Sequence, residues 1–298
     1  MATAAPAASA EAHQASQEAL AALAAPLLDR AWALLDLNNL EGTLPMFLDA
    51  VQAVVDHFGS AAAAVAIQHY KAVRSDSGVP GRVSVTPAAP TEPGFVDQLV
   101  VESVALAEQD AAAGLDNLDA GAEQLVLEQG RRQMMSAVAL DDAAKGWHRI
   151  PNAGACSFCL MLALNVYKSK RSASFLAHRR KPNGSGGDCR CTPEPDFGNY
   201  ERTARVREAQ NLWDEVVTKE GRTGEDARTA FRQAVEGRNV TGAKKKPARK
   251  ALRKGEGKTP ENQRAQLRVL EAMPPAKTPE AAQWRRNRLA EIRKYLGE

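Results

Sequence analysis

Residues 43–74, TLPMFLDAVQAVVDHFGSAAAAVAIQHYKAVR, set the fold class. Leu44, Phe47, Leu48, Val51, Val54, Val55 and Phe58 recur at spacings of three and four, which lines them along one face of an α-helix. Thr43 is placed to cap the first turn, and Ser75 to Gly78 ends the helix. Aromatic residues are only 5% of the chain and alanine dominates its first half. Helices packed through small and branched aliphatic side chains are therefore expected, rather than an aromatic-rich β-sandwich.

The same periodicity extends on both sides. Upstream, residues 9–36 carry Leu20, Leu23, Leu27, Leu28, Ala31, Leu34 and Leu35 on one stripe, with Pro26 expected to kink or divide the helix. Downstream, residues 79–94 contain Pro80, Pro87, Pro90 and Pro93, and read as a connector with at most one short strand around Val83 and Val85. A third helical region runs from about Phe95 to Val138, with breaks expected near Gly114 and Gly121. His13, His57 and His69 lie on these helices without a second ligand type at i+3 or i+4, and are expected to be ordinary surface or core histidines rather than metal ligands. Residues 201–238 suit two surface-packed helices broken at Gly221 to Gly224. Residues 239–263 are too rich in Lys, Arg, Gly and Pro to bury a core, and the last stretch returns to helix after Thr278-Pro279-Glu280.

The four cysteines of the chain all fall within GACSFCLMLALNVYKSKRSASFLAHRRKPNGSGGDCRC, residues 154–191. Cys156-x-x-Cys159 and Cys189-x-Cys191 are two close pairs, and a soft tetrahedral ion such as zinc is built from such pairs because a short loop presents both sulfurs to one ion. His178 could replace one sulfur, and Arg190 between two cysteines favours thiolate. Other readings stay open: small buried hydrophobes at the start of the helix CSFCLMLALNVY, a disulfide, or a nucleophilic cysteine with His148 or His178 as base. GSGGD, residues 184–188, reads as a flexible hairpin tip.

Charge is unevenly spread. Residues 1–145 carry 7 basic and 19 acidic side chains, residues 146–240 carry 16 and 11, and residues 241–298 carry 16 and 6. The basic end could meet nucleic acid, an acidic protein surface or an anionic membrane, or be a solvated tail. Its clusters are Lys244, Lys245, Lys246, Arg249 and Lys250, then Arg285, Arg286 and Arg288, while Trp284 and Tyr295 are spaced as helix-packing anchors. No segment approaches the roughly 18 uninterrupted apolar residues of a membrane-spanning helix. The run Leu20 to Leu28 lacks the basic residues that precede a secretory signal, so synthesis in the cytoplasm without a membrane partner is expected.

Residues 146–197 resemble the signature of the minor head proteins of tailed phages, the phage Mu protein F-like family, and in particular its actinobacteriophage branch. Members of that branch have an Ala-rich helical N-terminal half, a Gly-Trp, a Cys-x-x-Cys followed by Met-Leu-Ala, a Val-Tyr, a Ser-Ala-rich link, a His, a Cys-x-Cys-Thr and a Pro. The matching positions here are Gly146, Trp147, Cys156, Cys159, Met161, Leu162, Ala163, Val166, Tyr167, His178, Cys189, Cys191, Thr192 and Pro195, with Leu212 to Glu215 fitting downstream. The family pattern has a compact His-x-His-Cys before the second pair. Here His178 is separated from Cys189 by an insertion and Asp188 replaces the adjacent histidine, which shifts weight to four sulfurs.

The resemblance implies a protein of the phage head, made in the host cytoplasm beside the portal, scaffold and major capsid proteins and acting in assembly or in handling phage DNA. Proteins of the same branch are also labelled capsid maturation proteases. No Ser-His-Asp or Cys-His arrangement can be named in this sequence, so catalytic residues stay unknown. The expected architecture is mainly α. A helical N-terminal domain (1–145) precedes a small α+β domain with the cysteines and one structural zinc (146–240), then a basic linker and a C-terminal helix (241–298). A minor head protein is the favoured function, with a maturation protease and a DNA-binding accessory protein as alternatives.

Overall fold

A computed structural model describes residues 6–165, 189–238 and 259–298. It is mainly α, with one small antiparallel sheet among the described residues. The first apolar stripe is divided as Pro26 requires, into α1 (Pro6–Ala22) and α2 (Ala25–Trp32). Pro26 sits in the first turn of α2, where its missing N–H is not needed.

Helix α3 (Leu40–Asp76) has 37 residues and so is about 55 Å long. It starts four residues before the expected point. Asn39, not Thr43, is the cap, its Oδ1 accepting from the Gly42 N–H at 3.2 Å, while the Thr43 hydroxyl donates to the Asn39 carbonyl at 2.9 Å. Leu44, Phe47, Leu48, Val51 and Val55 are buried as the periodicity requires, and the same face continues through Ala62, Ala66 and Tyr70. By length and composition α3 could cross a bilayer, but here its apolar face forms the core of the bundle.

The third helical region is a hairpin of α4 (Pro93–Ala107) and α5 (Ala111–Leu140). Its break lies at Glu108 to Asp110, with Asp110 capping α5 by accepting from the Ala112 and Ala113 N–H groups at 3.1 and 3.2 Å. Gly114 and Gly121 are not breaks. They lie inside α5 where α4 comes closest: a Cβ on Gly114 would stand 2.6 Å from Ala107 Cβ and 2.7 Å from Ser103 O, and one on Gly121 would stand 2.1 Å from Leu99 Cδ1. The glycines are selected by the approach of a neighbouring helix, not by their helix-breaking tendency.

The Pro-rich connector forms no strand. Its prolines remove ladder donors, so side chains hold it instead. The Gln133 amide on α5 accepts from the Ala88 N–H at 2.5 Å and donates to Thr86 O at 3.1 Å. The Arg74 guanidinium donates to the carbonyls of Val79, Pro80 and Gly81. Arg74 also pairs with Asp141 at 2.7 Å, and Tyr70 donates to the same carboxylate at 2.8 Å.

Beyond α5 the chain forms β1 (Gly146–Ile150), α6 (Ser157–Ala163), β2 (Thr192–Asp196), α7 (Ala204–Trp213), a π-helical turn (Asp214–Thr218) and α8 (Gly224–Arg238). The strands pair antiparallel with His148 opposite Glu194. An isolated two-stranded sheet is marginal in water, so this one depends on what packs against it. Trp147, Cys159, Leu160, Cys189, Cys191, Leu212 and Phe231 share one core with Tyr70 of α3 and Met134 and Val138 of α5.

The C-terminal region holds two helices, α9 (Pro260–Ala272) and α10 (Pro279–Leu296), where the sequence reading has one. They fold back onto the N-terminal bundle: Val269, Leu270 and Ile292 are buried with Val96, Leu99 and Val104, and Trp284 packs on the same core as an anchor, while Tyr295 is half exposed. At that contact Arg285, 9% exposed, pairs with buried Asp97 at 2.7 Å.

Gly114→Ala tests the close approach of α4 and α5. Alanine favours a helix by about 1 kcal/mol over glycine, yet at this site overpacking against Ser103 O and Ala107 is expected to lower stability by roughly 1–3 kcal/mol. Urea denaturation measures it, and a stabilised variant would contradict the packing described.

Candidate metal centre

The cysteine centre is assembled from two local devices. Cys156 is the N-cap of α6, and Cys159, one turn further, points into the core. Cys189 and Cys191 lie just before β2, two residues apart, a spacing that returns side chains to the same side of an extended chain. The Sγ atoms of Cys159, Cys189 and Cys191 all lie within 4.8 Å of one another, with Cys159 and Cys189 at 3.5 Å. A tetrahedral site with Zn–S near 2.3 Å has sulfurs about 3.8 Å apart, so this trio could bind such an ion with small adjustments. Cys156 is exposed, and its thiol hydrogen-bonds with that of Cys159 at the edge of the trio. The structure thus brings three of the four expected cysteines to one point, with the fourth alongside. His178 and Ser185 lie outside the described residues.

The backbone between the paired cysteines is held by polar side chains from α1 and α5. Arg131, 5% exposed, donates from its guanidinium to both Cys189 O and Cys191 O, the latter at 3.0 Å. Gln14 donates to Arg190 O at 3.4 Å. The Arg190 side chain makes a two-pronged pair with Glu123 of α5, at 2.5 and 2.8 Å. Three successive carbonyls are therefore served by side chains rather than by a strand. On the sulfur side, fully buried Arg149 of β1 reaches Cys189 Sγ at 3.9 Å.

These surroundings decide the protonation of the sulfurs. The Cys159 thiol is pushed far up by its hydrogen bonds with Cys156, Cys189 and Cys191 and by burial. Cys191 is drawn down by Cys159, but its bond with Cys189 and its burial raise it overall, against the pull of Arg149. Cys159 and Cys191 are thus neutral thiols until a cation offsets their charge, and metal binding there would release protons. Four thiolates around a divalent ion carry net negative charge, and Arg149 and Arg131 are the buried cations beside it.

A second polar group, absent from the sequence reading, occupies the other face of the sheet. His13 of α1 stacks on His69 of α3 with ring centres 4.2 Å apart and planes at 9°. His69 Nε2 lies 2.7 Å from Glu194 Oε2 of β2. Across the strand pair, His148 stacks on Tyr200 at 3.5 Å and lies 3.3 Å from Asp196. His13 is a buried core histidine, within the expected range, but it and His69 share a carboxylate partner more than a hundred residues away, where helical spacing cannot find it. His57 stands exposed against Phe58.

The basic residues are dispersed. Arg285 is spent on Asp97, Arg288 contacts Gln266 and Glu291, and Arg286 is exposed with Gln283 beside it. Lys244, Lys245, Lys246, Arg249 and Lys250 lie outside the described residues.

Fold and site together define a helical protein whose small sheet carries a buried, arginine-supported thiol centre able to hold a soft metal ion. The chain belongs to the VG15 protein family, a family of viral proteins, whose sequence model matches residues 4–216, from α1 through the cysteine segment into the π-helical turn. No curated protein and no solved structure gives a significant match.

Arg131→Met keeps the length of the side chain and removes its donors. Two buried carbonyls then lose a partner, each worth about 1–3 kcal/mol, so a clear drop in denaturation midpoint is expected. Arg131→Lys should recover only part, because one ammonium lacks the planar fork that spans both oxygens. Unchanged stability of the methionine variant would show that the clamp is dispensable.

Proposed function

We propose that this viral protein is a minor head protein of a tailed phage, acting in head assembly near the portal and carried in the virion. The observation behind this reading is that the signature of residues 146–197 lies wholly inside the family match, and that its described residues Trp147, Cys159, Cys189 and Cys191 are built into the main core. Cys159, Cys189, Cys191 and His148 are buried, whereas a protease must present its nucleophile and base to a peptide backbone. A buried thiol centre suits a structural joint better than a turnover site.

In this reading one zinc is held by Cys159, Cys189 and Cys191 with Cys156 as fourth ligand, and the ion supplies a crosslink between α6 and the segment entering β2. Loading the full chain with cobalt(II) should give a thiolate-to-metal absorption band that Cys159→Ser strongly reduces. A wild-type protein without the band would count against the zinc reading. The basic run from Lys244 to Lys250 is the segment available to phosphate in such a role, and DNA retention through it should weaken steeply with salt.

Assembly and proteolysis are separated by co-expressing the chain with its cognate portal, scaffold and major capsid proteins and weighing every chain. Intact scaffold and capsid masses, with this protein recovered in the heads, are expected. Defined cleavage that disappears on substitution of Ser185, His148, His178 or Cys156 would replace the assembly reading with the maturation protease.

A further inference from the structure

The group formed by His13, His69 and Glu194 comes from three elements remote in sequence, α1, α3 and β2. One ligand atom from each lies within 4.8 Å of the other two. His13 and Glu194 are 5% and 3% exposed, and the His69 side chain is 9% exposed. Alternation along the strands separates this group from the thiols: His148, Glu194 and Asp196 share one face of the sheet, while Arg149, which reaches Cys189, projects from the other.

The Gln17 amide nitrogen lies 2.9 Å from Ala62 O and 3.2 Å from His13 Nε2, so His13 Nε2 accepts and its ring proton sits on Nδ1. Buried Nδ1 has no partner there, and neither has Gln17 Oε1. Buried polar atoms left without partners in a well-packed interior mark a missing water or ion.

We propose that His13, His69 and Glu194 form a second metal site, for a divalent transition ion of the zinc kind. Two imidazoles and one carboxylate are a ligand set that such ions take. Coordination through His13 Nδ1 gives that atom a partner and moves the ring proton to Nε2, and a turn of the Gln17 amide brings Oε1 round to accept it in exchange for the Gln17 bond to Ala62 O. Ala62 O lies inside α3, where a helical N–H serves it. The two rings, parallel at 9°, must turn out of their stack so that both in-plane lone pairs meet the ion, and the 2.7 Å contact between His69 and Glu194 opens to about 3.3 Å, the ligand separation of a tetrahedral N/O site. Burial and the nearby His69 lower His13 to about 3, which keeps its imidazole neutral, as a ligand must be. The ion would tie α1 and α3 to the sheet from the side opposite the thiols.

Cobalt(II) titration of the reduced, full-length chain reads the two sites separately. About two equivalents should bind per chain, one for each ligand set, and only one should carry the thiolate band. His69→Gln should lose the equivalent without the band and keep the other; Cys159→Ser should do the reverse. A wild-type chain that binds a single, thiolate-banded equivalent would overturn the proposal, as would a His69→Gln variant that binds both. A single equivalent without the band would support it while removing the cysteine reading. Should the variants fail to fold, zinc-edge X-ray absorption of the wild-type protein with its zinc content decides. About two zincs per chain with both sulfur and nitrogen or oxygen neighbours is expected, and a single zinc with sulfur neighbours alone would overturn the proposal.

Discussion

Arg131 ties the Cys189-Arg190-Cys191 segment to the helical bundle. One planar guanidinium serves the carbonyls of Cys189 and Cys191, which fixes the segment between them in an extended form and turns both sulfurs to one side. Without that clamp the segment would bring buried carbonyls into the interior unpaired, a cost that no nearby strand could remove. Gln14 repeats the solution at the Arg190 carbonyl, and the Arg190 side chain pairs with Glu123, so α1 and α5 act as a template for the chain that becomes β2. The position of β2 then decides where β1, and with it Trp147 and Arg149, can pair.

A two-stranded sheet has two faces and little stability of its own, and in this protein each face is given a different polar chemistry. The thiols and Arg149 occupy one side; the imidazoles and Glu194 occupy the other. Apolar packing surrounds both groups, with Trp147 and Ile150 fully buried. Burial keeps the Cys159 and Cys191 thiols and the His13 imidazole uncharged and raises Glu194 despite its contact with His69, so each group is poised to gain from a bound cation.

The helices were legible in the sequence because their signal is local. Leu44 to Val55 show a periodic face that packing then uses, and Pro26 must interrupt a helix wherever it falls. The meeting of Cys159 with Cys189 and Cys191 was also readable, since sulfur pairs have a restricted chemistry. Gly114 and Gly121 misled for an instructive reason: a glycine demanded by a neighbouring helix looks the same in sequence as one that ends its own. Arg131, His13 and His69 each sit on an ordinary helical pattern, and their roles depend on partners that only the packed chain brings near. Helix α9 was hidden by composition, because its polar face dominates a short segment beside a lysine-rich run.

The opposite charges of the two ends of the sequence acquire a partly internal meaning once α9 and α10 are in place. Asp97 and Glu108 of the acidic half pair with Arg285 and Arg268, and Asp49 pairs with Lys277. These pairs are unequal. Lys277 and Asp49 are both well exposed, so solvent and salt leave their attraction worth little. Arg285 and Asp97 are enclosed, and burial raises Asp97 even with Arg285 beside it, so this pair sets where α10 must lie more than it adds to stability. The complementarity therefore serves first to place the C-terminal helices on the bundle. A balance of charges counted along the chain cannot distinguish a surface awaiting a polyanion from one already facing its partner across a fold; Arg285, which reads as a phosphate ligand in sequence, is of the second kind.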